Sequence, residues 1–188
     1  VFDVDELIGE CRAAVDQGEP HRAVREILER AVSDATAVGD ALRPRLGGLN
    51  VLYNAPDLTV LHVVWAPGMI LFPHDHLMWA AIGIYAGQED NTFYRRNPEQ
   101  PTSVTSTGGK ELKVGDVLVL GKDAIHGVAN PLTKITAAIH VYGGDFVKQP
   151  RSVWGPGPLE ERPYDFEVIQ SQFAEANAAA GLTAEADA

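Results

Sequence analysis

The stretch Gly68-Met-Ile-Leu-Phe-Pro-His74-Asp-His76-Leu-Met-Trp-Ala80-Ala-Ile-Gly-Ile-Tyr-Ala-Gly87 places two histidines one residue apart, just ahead of an apolar, β-prone run. In extended chain, residues two apart point to the same side, so His74 and His76 converge while Asp75 faces away. Taken alone, the pair fits two solvent-facing histidines near a strand start equally well. Its meaning rests on its surroundings.

On both sides of the pair the chain reads as short β-type runs at 58–65, 76–85, 91–95, 117–120 and 134–142, separated by Pro, Gly, Asn and Asp. No helix-length crossover joins them, which favours an antiparallel sandwich or barrel over a parallel α/β sheet. The Ser/Thr/Pro-rich segment 97–109 reads as a surface connection. The first forty residues are helical in pattern. Leu7, Cys11 and Val15 form one apolar stripe and Val24, Ile27, Leu28 and Val32 another, with a turn at Gly18, Glu19 and Pro20. Phe166, Ile169 and Phe173 predict a closing helix after Pro163, and the Ala-rich, acidic tail from Ala178 is expected to fray. The 188 residues therefore read as a single domain, with a helical segment at 1–45, a β-barrel at 46–155, and a helix and tail at 156–188.

Twenty-six acidic side chains against 15 basic ones give a net charge of −11, which repels phosphate backbones and anionic lipid surfaces and argues against nucleic acid or a membrane as partner. Cys11 is the only cysteine, so the chain has no internal disulfide and no cysteine-built zinc site. The longest apolar stretch, 60–72, is interrupted and too short to span a bilayer. With neither the basic start nor the apolar core of a secretion signal, the expected location is the cytoplasm.

The spacing around the histidines resembles the cupin superfamily, whose first motif runs Gly, five residues, His-x-His, three or four residues, Glu, six residues, Gly. Gly68, His74, His76 and Gly87 keep that register, with Ala80 at the glutamate position. The second motif, Gly, five residues, Pro-x-Gly, two residues, His, three residues, Asn, is similar to Gly115, Gly121-Lys122-Asp123, His126 and Asn130, with Pro and the second Gly replaced. The resemblance implies a mostly β, double-stranded β-helix (jelly-roll barrel) with N-terminal helices and a short C-terminal helix. It also implies a metal held by His74, His76 and His126. Three neutral imidazoles leave a divalent ion its full charge and open positions, which suits an anionic ligand such as a thiolate or enolate. A catalytic zinc with one water is equally compatible with the spacing.

Alternation along 134–142 puts Thr136, Ala138, His140 and Tyr142 on one face and Ile135, Ala137, Ile139 and Val141 on the other. The mixed face either lines the barrel or meets solvent. Here the chain resembles the thiol dioxygenases, of the cysteine dioxygenase and 3-mercaptopropionate dioxygenase type. About fourteen residues after the third ligand these carry a Ser-x-His-x-Tyr strand. His140 and Tyr142 match, and Ala138 stands at the serine. Trp65, nine residues before His74, and Arg151, nine after Tyr142, also match, Arg151 as a clamp for a substrate carboxylate. Arg95 and Arg96 are rivals for that role, while His62 and His21 read as structural or surface residues. The position at which some relatives cross-link a cysteine to the tyrosine is Ala81, so Tyr142 is expected to be an unmodified phenol.

The resemblance implies an iron(II) dioxygenase that takes O2 and a small carboxylate-bearing thiol to a sulfinate, with Tyr142, held by His140, donating a hydrogen bond in the site. Two other readings stay open. One is a three-histidine dioxygenase cleaving a carbon–carbon bond in a diketone or aromatic diol; the other is a metal- or ligand-binding cupin without catalysis.

Overall fold

The computed structural model describes residues 1–157 and 159–183. Three helices come first: α1 (Val4–Val15), α2 (Pro20–Val32) and α3 (Ala35–Leu42). Asp3 caps α1 by accepting from the backbone N–H groups of Asp5 and Glu6, and Pro20 sits in the first turn of α2, where a missing N–H costs nothing. Eleven strands follow among the described residues: β1 (Gly48–Asn54), β2 (Thr59–Trp65), β3 (Ile70–Asp75), β4 (Ala80–Ala86), β5 (Gln88–Arg96), β6 (Val104–Lys113), β7 (Val117–Leu120), β8 (Ile125–Ala129), β9 (Thr136–Tyr142), β10 (Ser152–Trp154) and β11 (Glu161–Pro163). Helix α4 (Phe166–Ala179) closes the described chain.

The strands form two antiparallel sheets, ordered β1-β2-β9-β4-β7 and β11-β10-β3-β8-β5-β6. This is the mostly β, double-stranded β-helix with N-terminal helices and a C-terminal helix. Between the sheets lies one apolar cluster, with Leu61, Val63, Trp65, Ile82, Ile84 and Ala138 from the first sheet and Leu71, Leu112 and Val128 from the second. The other face of the first sheet carries Val60, Val64, Ala81, Ala137, Ile139 and Val141, which pack on Leu7, Cys11, Val24, Leu28 and Val38 of the helices. Alternation in β9 thus separates barrel lining from helix packing, and His140 and Tyr142 are on the lining side. At Gly83 a Cβ would meet Val32 Cγ1 at 3.0 Å, so glycine lets α2 lie close to β4. Helix α4 presses Ile169 and Phe173 into the inter-sheet cluster, where the Trp65 and Phe173 rings lie 5.1 Å apart.

Several boundaries differ from the sequence reading. His74 is the penultimate residue of β3 and His76 lies just past its end, and the run expected at 76–85 becomes a strand only from Ala80, after a turn in which Leu77 has φ 56°. The segment 97–109 is not a connection throughout, because its last residues begin the ten-residue β6, which pairs with β5 along its whole length. The expected barrel end at 155 is too early, since β11 lies beyond it and extends the second sheet through β10. Helix α4 runs past Ala178 to Ala179, and the part of the expected tail from 184 on lies outside the described residues.

Candidate metal centre

Backbone pairing assembles the three histidines. His74 on β3 and His126 on β8 are direct cross-strand partners, and His76 leaves the end of β3 toward the same point. Their ligand atoms lie within 4.8 Å of one another, and all three side chains are buried. His76 Nε2 and His126 Nε2 are 3.4 Å apart. Two rings are held from behind. His74 Nδ1 donates to the Phe72 carbonyl at 3.0 Å, and His126 Nδ1 donates to Asn91 Oδ1 at 2.6 Å, which fixes both tautomers with Nε2 facing inward. His76 Nδ1 has no hydrogen-bond partner.

Burial pushes the His74 imidazole down to about 4, despite its bond to Phe72. Burial, with mutual repulsion among the cluster, holds His76 and His126 well below the ordinary imidazole range. All three are therefore neutral at pH 7 and aim lone pairs at a shared point. Such a set is unfavourable unless a cation takes those lone pairs, and nitrogen donors of this kind fit a transition-metal ion or zinc. The cluster could hold a metal ion, and its donor set leaves open which one.

A narrow cavity lies beside the cluster, with His74, His126, His140 and Tyr142 among its polar lining and Trp65, Leu71, Val128 and Phe146 among its apolar walls. His140 Nδ1 meets the Tyr142 hydroxyl at 2.9 Å. Burial raises the Tyr142 phenol well above the ordinary range, so it stays protonated. Ala138, at 0% exposure, brings no polar atom to His140. Arg151 is buried, with its guanidinium 3.8 Å from the Tyr164 ring centroid and 4.1 Å from that of Phe146, an aromatic residue of the cavity wall. Its Nη1 donates to the carbonyls of Phe146 and Gln149, while Nε and Nη2 have no partner. The rivals lie elsewhere. Arg96 grips Glu161 with two bonds of 2.6 and 2.7 Å and covers Trp154, and Arg95 is exposed.

His62 belongs to the helix-facing side of β2, bonded to the Tyr85 hydroxyl at 2.6 Å, and His21 is half-buried on α2. Ala81 also faces the helices, and the cross-strand partner of Tyr142 on β4 is Ala80. Neither position bears sulfur, and Cys11 is buried in the helical layer.

The sequence reading passed over Glu89 and Asn91. Both are buried on β5, and Glu89 accepts from Trp65 Nε1 at 2.8 Å and from Asn91 Nδ2 at 2.9 Å. Burial pushes the Glu89 carboxyl up, but His140, Asn91 and Trp65 together hold it below the ordinary carboxylate range, and it is ionised. The available signal was period-two spacing of Glu89 and Asn91, continuous with the strand expected at 91–95.

No protein-family model matches the chain. Among solved structures it is similar to the cupin domain of Cnp3 from Schizosaccharomyces pombe, at 11% identity over 52% of this chain and 60% of that one, TM-score 0.43. It is also similar to an RmlC-like cupin family protein with a double-stranded β-helix fold from Methanocaldococcus jannaschii, at 14% identity over 55% and 84%, TM-score 0.45. A protein from Bacillus halodurans gives 10% identity over 70% and 88%, TM-score 0.48. No described helix is long and apolar enough to cross a membrane.

Proposed function

We propose that the chain is a mononuclear non-heme iron(II) dioxygenase that converts a small, carboxylate-bearing thiol to its sulfinate. The observation that carries this reading is a ligand set of three neutral imidazoles with no carboxylate, two of which, His74 and His126, line a small cavity that also holds the His140–Tyr142 pair. In this reading His74, His76 and His126 hold the metal. Iron(II) bound there supplies the electron-transfer chemistry that lets dioxygen react with sulfur and makes a coordinated thiol more acidic.

The chain's own residues bind and orient. Nε and Nη2 of Arg151, buried without partners, receive the substrate carboxylate, and the rings of Phe146 and Tyr164 keep the guanidinium plane fixed. Tyr142 hydrogen-bonds the ligand from the wall opposite the metal ligands, anchored by His140. Trp65, Leu71 and Val128 exclude water and limit the substrate to a few heavy atoms. The contribution is positioning and charge.

Iron(II)-loaded protein, supplied with oxygen and either 3-mercaptopropionate or cysteine, is expected to consume oxygen and form the matching sulfinate, identified by mass. Absence of sulfinate across a broad thiol panel would overturn the reading.

A further inference from the structure

Glu89 is 0% exposed inside the barrel, and the mechanism above gives it no task. Its two oxygens join both halves of the site. Oε1 accepts from Asn91 Nδ2 at 2.9 Å, and Asn91 Oδ1 accepts from His126 Nδ1 at 2.6 Å. Oε2 accepts from Trp65 Nε1 at 2.8 Å and lies 3.5 Å from His140 Nε2, a buried nitrogen without a hydrogen-bond partner. Across the same imidazole, Nδ1 meets the Tyr142 hydroxyl at 2.9 Å.

Two N–H groups, from Trp65 and Asn91, are thus directed at one side chain with His140 Nε2 close by, and only a carboxylate offers two oxygens that both accept. Gln at this position would turn one oxygen into a donor and set it against Asn91 or Trp65. Where the imidazole carries a single proton, an acceptor beside Nε2 keeps it there, and Nδ1 is left as a lone pair. The Tyr142 O–H then donates to Nδ1, and the phenol oxygen turns its lone pairs to the cavity. This reverses the sequence expectation that Tyr142 donates in the site.

We propose that Glu89 is a positioning residue that fixes the His140 tautomer and so makes Tyr142 a hydrogen-bond acceptor toward the ligand, in place of the hydroxyl that Ala138 lacks. The proposal rests on the thiol dioxygenase reading for the ligand, while the tautomer it assigns is measurable without any substrate. Long-range 1H–15N correlation on the metal-free full chain is expected to show His140 protonated on Nε2. Both Glu89→Leu and Glu89→Gln should shift it toward Nδ1 or a mixture. In the iron(II)-loaded protein the same variants are expected to lower kcat per bound iron about 10–100-fold, with KM within a few-fold, and Glu89→Asp, which keeps two acceptor oxygens, should recover part of the loss. A wild-type His140 that carries a proton on Nδ1 overturns the proposal, and that measurement needs no variant to fold. So does an Nε2 tautomer that survives both substitutions. If the wild type makes no sulfinate from any thiol while the tautomer responds to Glu89, the functional reading falls and the hold of Glu89 on His140 stands.

Discussion

Tyr142 and Asn91 can be separated by what each touches. Tyr142 contacts the His76 ring, at 4.9 Å between centroids, but makes no bond to a candidate ligand nitrogen. Tyr142→Phe is therefore expected to leave one metal per chain, measured by elemental analysis, while slowing sulfinate formation about 10-fold or more. Asn91 does the opposite. It holds His126 Nδ1, so Asn91→Ala should weaken zinc or iron binding about 10–100-fold in a competition titration. The three candidate ligands were legible because their spacing follows from strand alternation and motif register. Asn91 and Glu89 were not, because Gln88-Glu89-Asp90-Asn91 is uniformly polar and resembles a turn. Its inner face exists only through the pairing of β5 with β8, in which Asn91 lies opposite Val128 and Phe93 opposite His126. Long-range pairing of that kind leaves only the period-two spacing of Glu89 and Asn91 as a local trace.

The elements missed from sequence each lacked their usual signature for a physical reason. Strand β3 contains Pro73, which has no N–H to give a ladder, and its register with β8 is broken between Leu71 and His74. Strand β6 is an edge strand with most of its residues exposed, so it shows polar residues throughout instead of alternation. The turn after β3 has its own constraint, because Leu77 adopts φ 56° and the residue is 48% exposed. A left-handed conformation costs a non-glycine residue about 1–2 kcal/mol. Leu77→Gly is accordingly expected to hold or slightly raise stability, by about 0.5 kcal/mol after the extra entropy of unfolded glycine, and Leu77→Val to lower it by about 1 kcal/mol. Urea unfolding of the metal-free chain tests both. A large loss in Leu77→Gly would mean that the side chain, not the backbone, secures His76.

At the scale of the whole molecule, the apolar seam between the helical layer and the barrel contains a polar pair on the sheet side, His62 of β2 and Tyr85 of β4. Burial, aided by His140, lowers His62 from 6.5 to about 4. Above pH 6.5 this group is neutral in both states and indifferent. As pH falls below 6.5 the unfolded chain takes up the proton first, so stability declines until the folded form also protonates near 4. The full decline from this one group is about 3 kcal/mol. Replacing the pair together, His62→Phe with Tyr85→Phe, should remove about one proton's worth of slope from stability between those limits, read from urea midpoints across the range. The net charge of −11 has a different reach. It opposes approach of an anionic thiol, so the association rate is expected to rise with added salt. Finally, His74 and His126 ride on β3 and β8 of one sheet, with His76 just past the end of β3, while His140 and Tyr142 ride on β9 of the other. The His74-to-His126 spacing is therefore fixed by a hydrogen-bonded ladder, but the gap from metal site to Tyr142 is fixed by the side chains stacked between the sheets. Those are two rulers of different compressibility. Hydrostatic pressure shortens the second well before the first, and offers a way to tune the reach of Tyr142 without altering a single residue.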